Sequence, residues 1–495
     1  MPRASFRPDT FSFSSATSAC QRSSHWQEGL RSLPRMLAAG VTPSHVTFNA
    51  SINACERGGI WRLALQCFYD MLEMECAPTM VTFSSLISAF AAGTKWKPVL
   101  ELLEDMEFSR IPCNTITYNT ALSAFAQSGR WKIACHLLES MLQSAVEANA
   151  ISFSATITAC EGQWQVALGL LAIMSTFEAI PNEITFGSAI STCEKAGQWQ
   201  TALQILTWSR VVRVEPTEIT LNSCISACAK AGQWEMALQV LREMGCQTLE
   251  PDCVSFNSAI SACGQGKQWE LSLLILSELP TVRLLPDVIS YNASISACAS
   301  ASLWQMAVAL LEACGSGRLS PNGISFNASL SALEKSAQWR LACQLLSEMR
   351  QVRVVPDVIS YNSSISACEK GSQWQVALRL FASLRSCSLF ASRVTYGAAI
   401  SACEKSGQWR MALQLLSKML ASRLAPNEIT FNAALKAAEK GAQWQLALHL
   451  LSSMPTYELE PTISSFSACV VACQRGRQRR AVSDLLALIT AADLH

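Results

Sequence analysis

The sequence has little net charge and little that suggests a catalytic or metal centre. Its formal net charge is +1 over 495 residues, so it lacks the large basic field of indiscriminate nucleic-acid binders, although a selective binder is not excluded. No uncharged apolar run approaches the roughly 18 residues of a membrane span. The chain has 21 cysteines and five histidines, but no CxxC motif and no histidines at ligand spacing, so no zinc site and no cofactor are expected.

What the sequence does contain is one motif that recurs every 35 residues. PDVISYNASISAC begins at Pro286, and close copies begin at Pro181, Pro356 and Pro426. A regular period of this length indicates stacked supersecondary units rather than one globular core. Fourteen repeats begin at residues 10, 45, 80, 115, 150, 183, 218, 253, 288, 323, 358, 393, 428 and 463, and only the fifth is shorter, at 33 residues. Residues 10–495 are predicted to form one array, and residues 1–9 are interpreted as the tail of a preceding repeat or the remnant of a targeting segment.

Each repeat carries two apolar stripes with helical spacing. In the ninth repeat, Tyr291, Ile295 and Cys298 fall on one helical face, and a second stripe begins at Trp304 and continues through Leu311. Gly or Ser residues commonly separate the stripes, and Pro precedes the next repeat. The sequence therefore predicts an all-α solenoid of about fourteen helix-turn-helix repeats, in which each hairpin packs against its neighbours.

Tryptophan and cysteine are fixed within this period. Thirteen of the fourteen repeats carry Trp at position 17 (position 15 in the shortened fifth), where packing is the preferred interpretation. Ten cysteines occupy position 11, on the apolar face, and are predicted to be buried structural thiols in a reducing compartment. These ten are Cys20, Cys55, Cys160, Cys193, Cys228, Cys263, Cys298, Cys368, Cys403 and Cys473.

Two positions carry residues that helix stability alone does not favour. Position 5 lies inside the first helix, where Asn costs about 0.5 kcal/mol and Gly about 1 kcal/mol relative to Ala. It is Asn49, Asn119, Asn222, Asn257, Asn292, Asn327, Asn362 or Asn432 in eight repeats, Ser14, Ser84, Ser154 or Ser467 in four, and Gly187 or Gly397 in two. A buried asparagine ladder between repeats is one explanation, but it is less favoured because such a ladder should not tolerate Ser and Gly.

The last position of each repeat is restricted to residues that cap helix N-termini, and each precedes a helix. It is Ser44, Thr79, Asn114, Asn149, Asn182, Thr217, Asp252, Asp287, Asn322, Asp357, Ser392, Asn427 or Thr462. Capping explains this class of residue, but it does not explain why the residue varies while its surroundings stay fixed. A surface that recognises different bases would vary in this way.

With its 35-residue period, the YN or FN of the first helix and the PD or PN at the repeat end, the chain resembles the pentatricopeptide repeat family. The resemblance implies a right-handed superhelix that binds single-stranded RNA, one base per repeat. It also implies that positions 5 and 35 contact the base edge and that an aliphatic position 2 packs on the base. A basic position 13 would approach phosphate, and this position is Arg22, Arg57, Lys195, Lys230, Lys335, Lys370, Lys405, Lys440 or Arg475.

The family's pairing preferences imply a base for several repeats. Pairs of Asn with Asp favour uracil, and these are Asn222/Asp252, Asn257/Asp287 and Asn327/Asp357. Asn119/Asn149, Asn292/Asn322 and Asn362/Ser392 favour pyrimidines with a preference for cytosine, whereas Ser84/Asn114 and Ser154/Asn182 favour adenine. Gly187 and Gly397 depart from the pattern.

The rival functions are an enzyme and a protein-binding scaffold. Some family members carry a deaminase or nuclease domain, but this chain has no HxE motif, so no catalytic activity is expected. A peptide-binding groove would not need polar residues at positions 5 and 35 of every repeat. RNA is therefore the expected partner, together with other RNA-processing proteins. The chain is expected to be a monomer without membrane contact in an organelle, with the chloroplast preferred over the mitochondrion.

Overall fold

The computed structural model describes residues 40–478 apart from 94, 110, 145, 178, 247, 248, 317, 318 and 388, together with residues 15, 31, 33–36, 38 and 482. Ser14, Cys20 and Arg22 of the first repeat lie outside the described residues. The described part of the chain is helical and contains no strand. The predicted all-α class is confirmed there.

The first helix of each repeat, helix A, begins at the residue predicted from the period. Each helix A has 13 residues except that of the fifth repeat, which has 10 because two residues are missing before the turn. The described A helices are His45–Arg57, Met80–Ala92, Thr115–Gln127, Ala150–Ala159, Glu183–Lys195, Glu218–Lys230, Cys253–Gln265, Val288–Ser300, Gly323–Lys335, Val358–Lys370, Arg393–Lys405, Glu428–Lys440 and Ile463–Arg475.

The second helix, helix B, begins at the position-17 tryptophan in every described repeat that has one. The B helices are Trp61–Glu73, Trp96–Phe108, Trp131–Gln143, Trp164–Thr176, Trp199–Val211, Trp234–Cys246, Trp269–Glu278, Trp304–Ser316, Trp339–Gln351, Trp374–Ser386, Trp409–Ala421 and Trp444–Ser453. Two of them continue as 3₁₀ turns, Leu279–Val282 and Met454–Tyr457. None of the described helices has both the length and the apolar character to cross a bilayer.

The chain divides into two compact units, and the division falls within the seventh repeat. The first comprises residues 1–231 and 235–250, and the second comprises residues 232–234 and 251–495. Within each unit, helix A packs against helix A of the next repeat, and helix B packs against helix A of its own and of the next repeat. Each hairpin therefore buries its apolar faces against its neighbours, as expected for stacked repeats.

The core of each unit is built from the same repeat positions. Position 8 is a fully buried Ile or Leu in twelve described repeats, as at Ile52 and Ile190 in the first unit and Ile295 and Leu435 in the second. Position 4 is an aromatic residue in most repeats, and Tyr361 is the largest of the fully buried ones. The predicted apolar stripe of helix A is confirmed.

The tryptophans at position 17 pack on the turn of the following repeat. At Gly441 an added Cβ would lie 2.3 Å from Cδ1 of Trp409, and at Gly266 it would lie 2.4 Å from Cδ1 of Trp234. The same close approach occurs at Gly93, Gly371 and Gly476. These glycines end helix A where an indole leaves no room for a side chain.

The cysteines at position 11 are buried free thiols, as predicted, at all nine described positions. Burial raises the pKa of Cys228, Cys263 and Cys403 to about 11. These thiols therefore stay protonated at neutral pH and act as small apolar side chains.

Candidate functional site

An exposed row of aliphatic side chains marks the first turn of helix A in both units. Position 2 is Val or Ile in twelve consecutive repeats, and its exposed fraction lies between 47% at Val46 and 76% at Ile219. Core packing cannot explain a branched aliphatic residue that is exposed in every repeat. The row comprises Val46, Val81, Ile116, Ile151, Ile184, Ile219 in the first unit together with Val254, Ile289, Ile324, Ile359, Val394 and Ile429 in the second.

Beside this row, the asparagine at position 5 bridges to the next repeat. Asn49 Nδ2 donates to Thr79 Oγ1 at 3.3 Å, and Asn49 Oδ1 accepts from Thr82 Oγ1 at 2.6 Å. Each amide thus joins the last residue of its own repeat to the position-3 hydroxyl of the next. The same two bonds are made by Asn119 to Asn149 and Ser152, Asn257 to Asp287 and Ser290, Asn327 to Asp357 and Ser360, and Asn362 to Ser392 and Thr395.

Asparagine at position 5 therefore forms hydrogen-bonded bridges between neighbouring repeats, here called rungs. This is the asparagine ladder that the sequence analysis gave less weight. The argument against it was the presence of Ser and Gly at this position. The position-3 hydroxyl answers that argument because the cap gives it a hydrogen-bond partner even when the amide is missing. Thr117 Oγ1 donates to Asn114 Oδ1 at 2.8 Å beside Ser84, and Thr430 Oγ1 donates to the Asn427 carbonyl at 2.7 Å beside Gly397.

Position 3 was missed by the sequence analysis. It is Ser or Thr in all fourteen repeats, and every described one is buried, with an exposed fraction of at most 3%. The signal in the sequence was the hydroxyl residue at position 3 of every repeat, close to positions whose residues vary. Its partners lie 33 residues away, so local helical spacing could not reveal them.

The cap residues behave as predicted and remain partly accessible. Asn322 Oδ1 accepts from Ser325 N and Ser325 Oγ, both at 3.1 Å, and from Asn292 Nδ2 at 3.3 Å. Asp287 Oδ1 accepts from Ser290 N at 2.7 Å and from Asn257 Nδ2 at 3.2 Å, and it lies 2.8 Å from Ser290 Oγ, whose single hydrogen is shared between Asp287 Oδ1 and Asn257 Oδ1. Asn322 is exposed and Asp287 is half-buried. The structure thus brings positions 5 and 35 together next to position 2.

The carboxylates of the caps Asp287 and Asp357 stay ionised at neutral pH. Burial alone would raise the pKa of Asp287, but hydrogen bonds from the backbone and hydroxyl of Ser290 and from the Asn257 amide together hold it below the ordinary value. The pKa of Asp357 is lowered against the same effect of burial by Ser360 and Asn327. These two sites present acceptors only.

Asn292 differs from the rungs described above. Its Nδ2 donates to Asn322, but its buried Oδ1 has no partner, because Ser325 Oγ donates to Asn322 instead. Asn257 at the equivalent place is 8% exposed with both ends of its amide bonded. Asn292 Oδ1 is therefore a buried acceptor that the rung leaves unpaired, near the exposed Ile289.

The basic residues of position 13 lie at the other end of helix A. Eight residues separate positions 5 and 13, which corresponds to about 12 Å along a helix. Most of these cations pair with the position-12 glutamate of the preceding repeat, as in Lys405–Glu369 and Lys440–Glu404, both at 3.0 Å. Lys195–Glu161, Lys230–Glu194, Lys370–Glu334 and Arg475–Glu439 are further pairs. Lys335 instead donates to the carbonyl of Ala299.

Nothing in the described part of the chain suggests a catalytic centre. No three His, Cys, Asp or Glu side chains cluster there closely enough to hold a metal ion. The arrangement is a repeated surface of one aliphatic side chain and two polar ones. Such a surface can bind a planar group and distinguish the donors and acceptors along its edge.

Comparison with known families agrees with the repeat pattern. Models described as "PPR repeat family", "Pentatricopeptide repeat domain" and "PPR repeat" match residues 43–92, 113–162, 216–265 and 391–440, residues 309–370, and residues 81–111, respectively, which together exceed half of the chain. No curated protein matches the chain.

Solved structures show the same fold. The pentatricopeptide repeat protein PPR10 from maize is 22% identical, with a TM-score of 0.71 over 99% of this chain and 74% of that chain. A structure of PPR10 in complex with an 18-nt psaJ RNA element is 18% identical, with a TM-score of 0.50 over 99% and 86% of the two chains.

Proposed function

Because the chain belongs to the pentatricopeptide repeat family, we propose that it binds single-stranded RNA in a sequence-specific way, with one base at each repeat. The carrying observation is the exposed aliphatic row at position 2, set beside the polar pair of positions 5 and 35. A base would pack its face on the aliphatic side chain and present its edge to the polar pair. PPR10, a protein of this fold, was crystallised with RNA.

The hydrogen bonds of the caps supply a chemical reason for base preference. In the described structure, the contacts of Asp287 with Ser290 and Asn257 fall on Oδ1, which leaves Oδ2 to accept the N3–H of uracil. Asn322 Oδ1 likewise takes three bonds, which leaves its Nδ2 as a donor. A free donor suits the N3 acceptor of cytosine. The Asn257/Asp287 pair therefore favours uracil, and the Asn292/Asn322 pair favours cytosine.

The serine repeats fit adenine by the same argument. Ser84 Oγ donates to the Val81 carbonyl at 3.0 Å, and Ser154 Oγ donates to the Ile151 carbonyl at 3.0 Å. Their lone pairs are left to accept from an exocyclic amine. Asn114 Oδ1 is occupied by Thr117, so its Nδ2 can donate to the N1 of adenine.

Membership of the family also supports a proposal for the biological setting. We propose that the chain acts in RNA processing, stabilisation or translation within an organelle, with the chloroplast preferred over the mitochondrion. Its role would be that of a binding protein rather than an enzyme, and other RNA-processing proteins would act on the bound transcript. Immunoprecipitation with RNA sequencing from isolated organelles tests this setting.

The test of RNA binding removes the aliphatic row and leaves the rungs in place. RNA selected from a randomised single-stranded pool would be measured against the chain with Ile289→Ser and Ile324→Ser. Both side chains are exposed, at 61% and 65%, so folding should be retained. Affinity should fall on the order of tenfold or more, since stacking contributes about 1–3 kcal/mol per base in single-strand binders.

The matched control is Leu274→Ser, which removes an aliphatic side chain of 54% exposure from helix B. It should bind RNA like the unaltered chain. If no RNA is selected, or if the control loses as much affinity as the double variant, the proposed site is wrong. Capture of a peptide ligand whose binding depends on Ile289 and Ile324 would favour a protein-binding scaffold instead.

A further inference from the structure

The sixth repeat contains a cavity where other repeats have a side chain. Its volume is about 360 Å³, at the small end of the range of ligand pockets. It lies between two neighbouring members of the aliphatic row, Ile184 and Ile219, which are 65% and 76% exposed. Gly187, Thr217 and Thr220 line the side of the cavity where other repeats have the asparagine rung.

The cavity exists because position 5 is glycine. In a repeat with asparagine the amide extends to the next position-3 hydroxyl, as Asn362 does to Thr395 at 2.6 Å. Here no amide is present, and Thr220 Oγ1 turns to the carbonyl of Thr217 at 2.6 Å. The space of a whole carboxamide is left open beside the position-2 side chains.

This repeat also lacks an amide or carboxylate at its last position. Gly397, the other glycine at position 5, is paired with Asn427, whose Oδ1 accepts from Thr430 N. Among the repeats in which both positions are described, Gly187/Thr217 is the pair with neither group. The polar groups nearest the opening are instead the carboxylates of Glu161 and Glu183 and the hydroxyl of Ser188. Glu161 pairs with Lys195, and Ser188 Oγ bonds Thr158 Oγ1 at 2.8 Å.

We propose that this cavity is a slot for a purine base, in which ring size and the exocyclic amine are recognised. The proposal rests on the RNA binding proposed above. A two-ring base fills the space of the missing amide and covers more of Ile184 and Ile219 than a pyrimidine does. The acceptors among the lining residues, Glu161 and Glu183, match the amino groups that adenine, guanine and cytosine carry and that uracil lacks, and ring size separates the purines from cytosine. No side chain in this slot distinguishes the Watson–Crick edge of adenine from that of guanine.

Gly187→Asn tests the slot because it fills the cavity. An asparagine is compatible with a threonine at the next position 3, as Asn49 with Thr82 and Asn362 with Thr395 demonstrate. Gly169→Asn is the matched control, since Gly169 lies in helix B of the fifth repeat and an added Cβ there meets nothing within 4 Å. Each purified chain would select RNA from a randomised single-stranded pool, and base frequencies would be compared column by column.

The unaltered chain and Gly169→Asn should both enrich purines in the same column. Gly187→Asn should shift that one column toward pyrimidines, by on the order of tenfold in the purine-to-pyrimidine ratio. If the aligned RNAs show base preferences and Gly187→Asn changes none of them, the proposed purine slot is wrong, although RNA binding is retained. Failure of the unaltered chain to select any RNA would instead overturn the proposed function on which the slot rests.

Discussion

At the scale of single residues, the cap at the repeat end has two separable tasks. In Asp287 and Asn322, Oδ1 accepts from the backbone N–H of the position-3 residue of helix A and from the rung amide, and it also contacts the position-3 hydroxyl. None of these contacts falls on the second polar atom of either side chain. Their difference is therefore confined to the remaining atom, an acceptor in one and a donor in the other.

Asn322→Asp exploits this separation. The carboxylate keeps the bonds from Ser325 and Asn292, as Asp287 does in its own repeat, so stability should barely change. The outward atom becomes an acceptor, and the preference at that one nucleotide should move from cytosine toward uracil by about 1–3 kcal/mol. Binding of RNAs that differ only at this base measures the shift. A uniform loss or gain for all four bases would mean that Asn322 is a cap and nothing more.

The sequence identified positions 5 and 35 because their residues are poor choices for a helix interior and good choices for a cap. It could not assign their partners. Asn49 reaches Thr79 and Thr82, 30 and 33 residues away, and such contacts depend on how neighbouring helices stack. The 35-residue period predicted the first residue of each described helix A correctly, because capping and apolar residues recur at the same positions of successive repeats.

At the scale of helices and repeats, the rungs are expected to stabilise the stack. Asn49→Ala removes the bonds to Thr79 and Thr82, which should cost about 1–2 kcal/mol net of the gain in helix propensity. Asn53→Ala is the control in the same helix, because Asn53 makes no side-chain hydrogen bond within the described structure. Hydrogen exchange of residues 45–92 should be faster in the first variant and unchanged or slower in the second. Equal protection in both would show that the rung contributes nothing to packing.

The tryptophan at the start of helix B couples each hairpin to the next. Trp409 joins the core cluster of its unit, lies over the turn at Gly441, and carries Arg410 5.2 Å from its ring centroid. Trp409→Ala should destabilise its surroundings by about 3 kcal/mol. Because repeats contact only their neighbours, hydrogen exchange should rise in the repeats that begin at 393 and 428 and hardly change in the repeat that begins at 288. Uniform loosening along the unit would contradict nearest-neighbour packing.

At the scale of the whole molecule, the near-zero net charge has a structural origin. The position-12 glutamates Glu161, Glu369 and Glu404 meet the cation of the following repeat, 34 or 36 residues on, rather than their own neighbour in sequence. Glu lies next to these cations in the sequence, but local sequence could not reveal this pairing between repeats. The pairs are largely exposed, so each adds little to stability. They do reduce the positive field that an RNA phosphate would meet.

Glu369→Gln combined with Glu404→Gln releases Lys405 and Lys440 from their partners. Stability should change by less than about 1 kcal/mol per pair, whereas RNA affinity at low salt should rise several-fold and fall more steeply with added salt. Lys405→Gln with Lys440→Gln is the converse pair, and it should reduce the slope of log affinity against log salt by about 0.7 for each phosphate that the protein no longer neutralises. Titrations at three or more salt concentrations provide both slopes. If neither pair of variants changes the slope, these lysines only join repeats, and the phosphates are bound elsewhere on the protein.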